Sequence, residues 1–195
     1  NAVLGFADLL STIISDHKQK SYVESIKSSG KSLLTLINDI LDLSKIEAGK
    51  LEIQYAPLNL RPVLKEIEQI FSIKIMQKNL EFISDIDPRI PVSLILSETR
   101  LRQVLFNIIG NAIKFTEIGH IKLMSKIISE SDDNKKIDLL ISVEDRGIGV
   151  PKAQQERIFK SFEQQDGQDE KKFGGTGLGL AISKKLVNLM GGEII

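Results

Sequence analysis

The chain has 195 residues, more than one average domain and enough for two small ones. Apolar residues make up 42% and charged residues 27%, ordinary for a soluble globular protein, and 26 basic residues balance 26 acidic ones. A net charge of zero argues against an electrostatic nucleic-acid binder. The lack of cysteine excludes disulfides and thiolate metal sites and fits a reducing compartment. No run reaches the ~18 uncharged apolar residues of a membrane span. Asn1 stands inside an apolar helical pattern, so the chain reads as a piece of something longer.

Val3, Phe6, Leu10 and Ile13 alternate at three- and four-residue spacing, which predicts an amphipathic helix from residue 2 to about 15, broken by Ser15-Asp16-His17. A longer helix follows on a heptad-like stripe of Val23, Ile26, Gly30, Leu33, Ile37, Ile40 and Ser44. Leu34, Leu36, Leu41 and Leu43 broaden its apolar face, and Gly49 marks its C-terminal stop. Two helices cannot cover so wide an apolar surface, and pairing with a second copy into a four-helix bundle would. Packing on the rest of the same chain is the other solution.

The pattern changes at Leu51. Leu51–Tyr55 alternates like a strand, and Asn59 is placed to cap a helix to about Gln77 with Val63, Leu64, Ile67, Ile70 and Phe71 on one side. Leu80–Ile86 reads as a strand closed by Asp87-Pro88, and Ser97 as the cap of a helix carrying Leu101, Val104, Leu105, Ile109 and Ala112. Strands are expected over about 121–128 and 137–143, a short helix from Pro151 to Phe159, and a mobile Gln-rich loop over 160–176. A last helix runs to about Met190, and Gly191-Gly192 turns into a strand cut short at Ile195. Strands and helices in this mostly non-alternating order predict a layered α+β sandwich rather than a doubly wound sheet.

Chemistry gathers in three places. Four glycines lie within Gly174–Gly179, ahead of the last helix, where a backbone free of Cβ atoms and the N–H groups of a first helical turn favour a phosphate. A Gly-rich turn that only tightens the joint would look alike. The P-loop pattern is absent, Leu180 stands where a Rossmann fingerprint needs glycine, and protein-kinase His-Arg-Asp and Asp-Phe-Gly markers are missing. Asn107, Asn111 and Lys114 share one helix face, which suits a hard Mg²⁺ ligand and a phosphate partner, or else plain surface and capping residues. Asp145-Arg146-Gly147-Ile148-Gly149 is a strand end with a Gly-x-Gly turn, whose carboxylate suits an adenine amino group. An ordinary Asp turn has the same form. His17, at a loop, and His120, at a strand start, read as surface residues.

Together these segments resemble the sensor histidine kinases. Asn107–Phe115 is similar to their N box, Asp145–Gly149 to the G1 box, Ile158–Glu163 to the F box and Gly175–Leu180 to the G2 box. The resemblance spans residues 51–195 as the ATP-binding domain, a two-layer α/β sandwich of the Bergerat type whose last strands are expected to be truncated. It extends through Asn1–Phe6 and Leu41–Gly49 over residues 1–49, similar to the dimerisation and histidine-phosphotransfer hairpin.

The resemblance implies an ATP-dependent protein-histidine kinase. Asn111 would hold Mg²⁺, Asn107 and Lys114 would serve the phosphates, and Asp145 would read adenine. Gly147, Gly149, Phe162, Gly175, Thr176, Gly177, Leu178 and Gly179 would shape the ATP pocket. The family's acceptor histidine belongs just before Asn1, so no catalytic histidine is expected within these residues. Arg146, Ser161 and Glu163 replace the usual Thr, Pro and Gln, and Ser97 a frequent Asp. Implied partners are a second copy through residues 1–49 and a response-regulator receiver domain, in the cytoplasm, with any membrane contact made outside this chain. A gyrase-like ATPase on the same nucleotide fold and a non-enzymatic dimerisation scaffold are the alternatives.

Overall fold

The computed structural model describes residues 2–131, 136–160 and 177–195. It divides into two compact units, Asn1–Leu51 and Glu52–Ile195.

The first unit is a helical hairpin of α1 (Ala2–Ile13) and α2 (His17–Glu47). The break falls at residues 14–16, and His17 already belongs to α2 because the Asp16 carboxylate accepts from the Gln19 N–H at 2.9 Å as N-cap. At the other end Gly49 takes φ +65°. Its N–H donates to the Ile46 carbonyl, and the Lys50 N–H to that of Lys45, a Schellman stop. The helices pack closely at Gly30, where a Cβ would come within 2.8 Å of Leu4 Cδ2. Lys27 of α2 reaches Asp8 of α1 at 3.0 Å. Ala7, Val23 and Leu43 are buried, yet Phe6, Ile13 and Leu33 stay 67%, 75% and 59% exposed. The remainder of the heptad stripe, Ile26, Ile37 and Ile40, is exposed as well.

In the second unit α3 (Leu60–Gln77) and α4 (Glu98–Phe115) lie with a three-stranded sheet of β2 (Glu81–Ile86), β4 (His120–Glu130) and β5 (Ile137–Asp145), ordered β2-β4-β5. β2 runs parallel to β4, and β4 antiparallel to β5. A smaller sheet pairs β1 (Ala56–Leu58) with β3 (Leu94–Leu96). The core is one cluster joining Leu64, Ile67 and Phe71 of α3, Leu105, Ile109 and Ile113 of α4, and Ile121 and Leu123 of β4. Along β4 these buried positions alternate with Lys122, which meets Asp85 of β2 at 3.4 Å. One sheet face therefore carries the core, and the opposite face mixes charged side chains with Ile83, Met124 and Leu140. The last helix, α5 (Gly179–Leu189), buries Ala181, Ile182 and Leu186.

Several expectations change. Leu51–Tyr55 has strand alternation but is irregular; pairing starts at Ala56, because a strand needs a ladder partner as well as a pattern. The partner, β3, is three residues long and gave no periodicity to read. Ile70 lies at the edge of the α3 stripe and is exposed. Ser97 holds the N-cap position of α4 without a side-chain cap bond. The helix from Pro151 is two separate 3₁₀ turns, Lys152–Gln154 and Arg157–Phe159. Residues 193–195 form no strand with any described residue. The expected loop over 160–176 lies outside the described residues except for Lys160.

Candidate functional site

Sheet register brings the first two motifs together. β4 begins five residues after α4 ends, and Ile121 near its start pairs with Asp145 at the end of β5. The turn after β5 is thereby delivered to the C-terminus of α4. The contact is tight: a Cβ on Gly147 would stand 2.8 Å from the Phe115 carbonyl oxygen and 2.7 Å from Asp145 Oδ1. The Gly147 N–H donates to Asp145 Oδ1 at 2.7 Å, which orients the exposed carboxylate. A carboxylate offers about four acceptor positions, so one such bond leaves capacity for a ligand N–H. Gly149 takes φ +69° with open space where a Cβ would be.

The third motif meets α4 nearer its middle. Asn107 Nδ2 donates to the Gly179 carbonyl at 3.2 Å and to Ser183 Oγ at 3.3 Å, tying α4 to the first turn of α5. A Cβ on Gly179 would lie 3.3 Å from the Asn107 carboxamide, closer than a comfortable contact. Gly177 takes φ +69°, and Leu178, the N-cap, is fully buried and brings no side-chain oxygen to the first-turn N–H groups. The start of the F-box segment joins the same helix, with Lys184 Nζ 4.9 Å from the centre of the Phe159 ring.

Asn111 and Lys114 are both half-buried. Lys114 lies over the Phe115 ring at 4.6 Å and lines a groove between α3 and α4 with Phe71, Lys74 and Lys78. Burial lowers its pKa from the ordinary lysine value, so an anion alongside would push it back up. Asn107 has a fixed structural partner in α5, which helical spacing alone did not suggest. Phe162, Gly175 and Thr176 lie outside the described residues. His17 opens α2, and His120 is half-buried, 3.9 Å from Glu144.

Sequence reasoning missed two residues. Ser183, fully buried, receives the Asn107 bond; its only signal is its place one turn beyond Gly179. Lys78 sends its ammonium to the Ile113, Lys114 and Thr116 carbonyls at 2.6, 3.0 and 3.1 Å, and nothing local in the sequence announces so distant a contact.

Known proteins resemble the chain over both of its units. The family of histidine kinase-, DNA gyrase B-, and HSP90-like ATPases matches residues 96–195, and the His Kinase A (phospho-acceptor) domain matches residues 1–49. The chain is 43% identical over 194 residues to hybrid signal transduction histidine kinase L of Dictyostelium discoideum, covering 98% of the chain and 11% of that protein. It is 39% identical to the signal transduction histidine-protein kinase BarA of Escherichia coli K12, covering 100% of the chain and 21% of BarA. It thus spans about a tenth to a fifth of the length of these relatives. Among solved structures, full-length ShkA in complex with AMPPNP is 35% identical with a TM-score of 0.77, over 97% of this chain and 38% of that one. A phospho-acceptor domain ahead of the ATPase domain separates the chain from the gyrase-like members. The chain therefore belongs to the histidine kinase-, DNA gyrase B-, and HSP90-like ATPase family, within its sensor histidine kinases.

Proposed function

We propose that residues 52–195 bind ATP with Mg²⁺, and that the whole protein transfers the γ-phosphoryl group to a histidine for relay to an aspartate of a response-regulator receiver domain. The observation that carries this reading is the convergence of both glycine turns on α4: Gly147 rests on Phe115, and Gly179 on Asn107. Backbone with no Cβ stands at the middle and at the C-terminal end of a helix that offers an amide and an ammonium between those points.

Asp145 accepts from the adenine amino group, and Gly149 leaves room for the ring. Asn111 gives a carboxamide oxygen to the cation, a sparse ligand set that suits Mg²⁺ sharing phosphate and water. When bound, Mg²⁺ neutralises phosphate charge. Lys114, held partly out of water, gains most from an anion beside it. The first-turn N–H groups of α5 donate to the phosphates beside Gly177, and the family resemblance assigns Gly175, Thr176 and Phe162 to the same nucleotide pocket. In transfer the bond from the γ-phosphorus to the β–γ bridging oxygen breaks, ADP leaves with that electron pair, and an imidazole nitrogen bonds the phosphorus. The site's contribution is positioning and electrostatics. Residues 1–49 pair with a second copy, and the reaction proceeds in the cytoplasm, where ATP is abundant. Among the described residues no helix is long and apolar enough to cross a membrane.

Calorimetric titration with ADP, with and without Mg²⁺, tests the reading. Saturable binding that Mg²⁺ tightens is expected, and no heat at tens of micromolar protein would overturn it.

A further inference from the structure

Lys78 ends α3, and its own position is firmly set. Its N–H donates to the carbonyls of Lys74 and Ile75. Asn79 follows at φ 53°, with its N–H on Met76 O and the Leu80 N–H on Ile75 O, a Schellman stop built on asparagine. From there the side chain crosses to α4. An ammonium has three donors, and here three backbone carbonyls, those of Ile113, Lys114 and Thr116, lie within 3.1 Å of it. Those of Ile113 and Lys114 are among the last four of α4, which have no partner inside the helix and carry the negative end of its dipole.

The residue these three flank is Phe115. Its carbonyl is the surface on which Gly147 rests, 2.8 Å from where a Cβ would be, and the Gly147 N–H in turn orients Asp145. The path from Lys78 to the Asp145 carboxylate thus passes through one helix end and one turn. Apolar packing of α3 on α4 fixes their separation but is non-directional. The last peptide is held from its N–H side by the Thr116 N–H bond to the Ala112 carbonyl at 3.0 Å, and Lys78 fixes the carbonyls on either side of it.

We propose that Lys78 is a positioning residue for the nucleotide, holding the C-terminal peptide of α4 at the angle that seats the Asp145–Gly147 turn. The inference rests on the nucleotide reading above. Lys78→Met keeps the aliphatic stem and removes the donors. ADP affinity should fall about tenfold at a temperature well below unfolding, since small displacements of a positioning group carry large costs. The Gly147 amide resonance should shift even without nucleotide. Lys74→Met, in the same groove, should change neither. If Lys78→Met does not fold, Lys78→Gln, with fewer donors, is measured instead with the same expected direction. Failure of the native chain to bind ADP would overturn the nucleotide reading and this inference together. Native binding, with ADP affinity and the Gly147 resonance unchanged in the Lys78 variant, would overturn the inference alone.

Discussion

At the scale of single residues the site depends on two kinds of glycine. Gly149 and Gly177 are glycine because φ +69° places a Cβ against its own backbone. Gly147 is glycine because the Phe115 peptide occupies the space a Cβ would fill. Gly147→Ala should therefore push the turn off α4, lowering stability by about 1–3 kcal/mol and ADP affinity with it, as thermal unfolding and titration would report. Asp145→Asn leaves the turn's shape nearly unchanged and tests chemistry instead. An acceptor-only group is replaced by one that also donates, so ADP affinity should fall by roughly ten- to a hundredfold, the worth of a hydrogen bond to a charged group. An unchanged dissociation constant would remove Asp145 from the adenine role.

At the scale of elements, α2 and α3 end with the same backbone device and different residues. Gly49 was readable as a stop because only glycine takes φ +65° without strain. Asn79 does the same work at φ 53°, yet asparagine is common enough elsewhere that it gave no comparable signal. Asn79→Gly should leave stability within a few tenths of a kcal/mol, whereas Asn79→Ala should lose about 1 kcal/mol. Chemical denaturation of residues 52–195 would measure both. Equal losses from the two variants would mean that the Asn79 side chain, and not its backbone angle, holds the turn.

At the scale of the whole molecule, the hairpin leaves more apolar surface in water than one copy can cover. Phe6, Ile13, Leu33, Ile37 and Ile40 are all exposed on its two helices. Burying each against a partner contributes roughly 1.5–3 kcal/mol, enough in sum to outweigh the entropy of association. The chain is therefore expected to sediment as a dimer. Replacing Leu33 and Ile37 by Asp should give monomers that still bind ADP, since the proposed pocket belongs to the other unit. A native chain that sediments as a monomer at tens of micromolar would refute the pairing.

Residue type and spacing determined what is local. Amphipathic helices follow from apolar stripes, so α1, α2, α3 and α4 were legible, as were the caps at Asn59 and Gly49. The long strands β4 and β5 carried enough alternation to be read, and the glycine turns announced themselves by composition. Tertiary structure alone decided pairing and contact. The irregular course of Leu51–Tyr55, the brief β1–β3 ladder and the split of the Pro151 helix into two 3₁₀ turns depend on neighbours distant in sequence. The same holds at the site. Asn107 was visible as a polar residue on an apolar helix, but its partners Gly179 and Ser183 lie 72 and 76 residues away. Lys78 reaches carbonyls 35 to 38 residues ahead. A backbone carbonyl has no residue identity, so a side chain that serves one leaves no pattern in the sequence until the fold brings the two together.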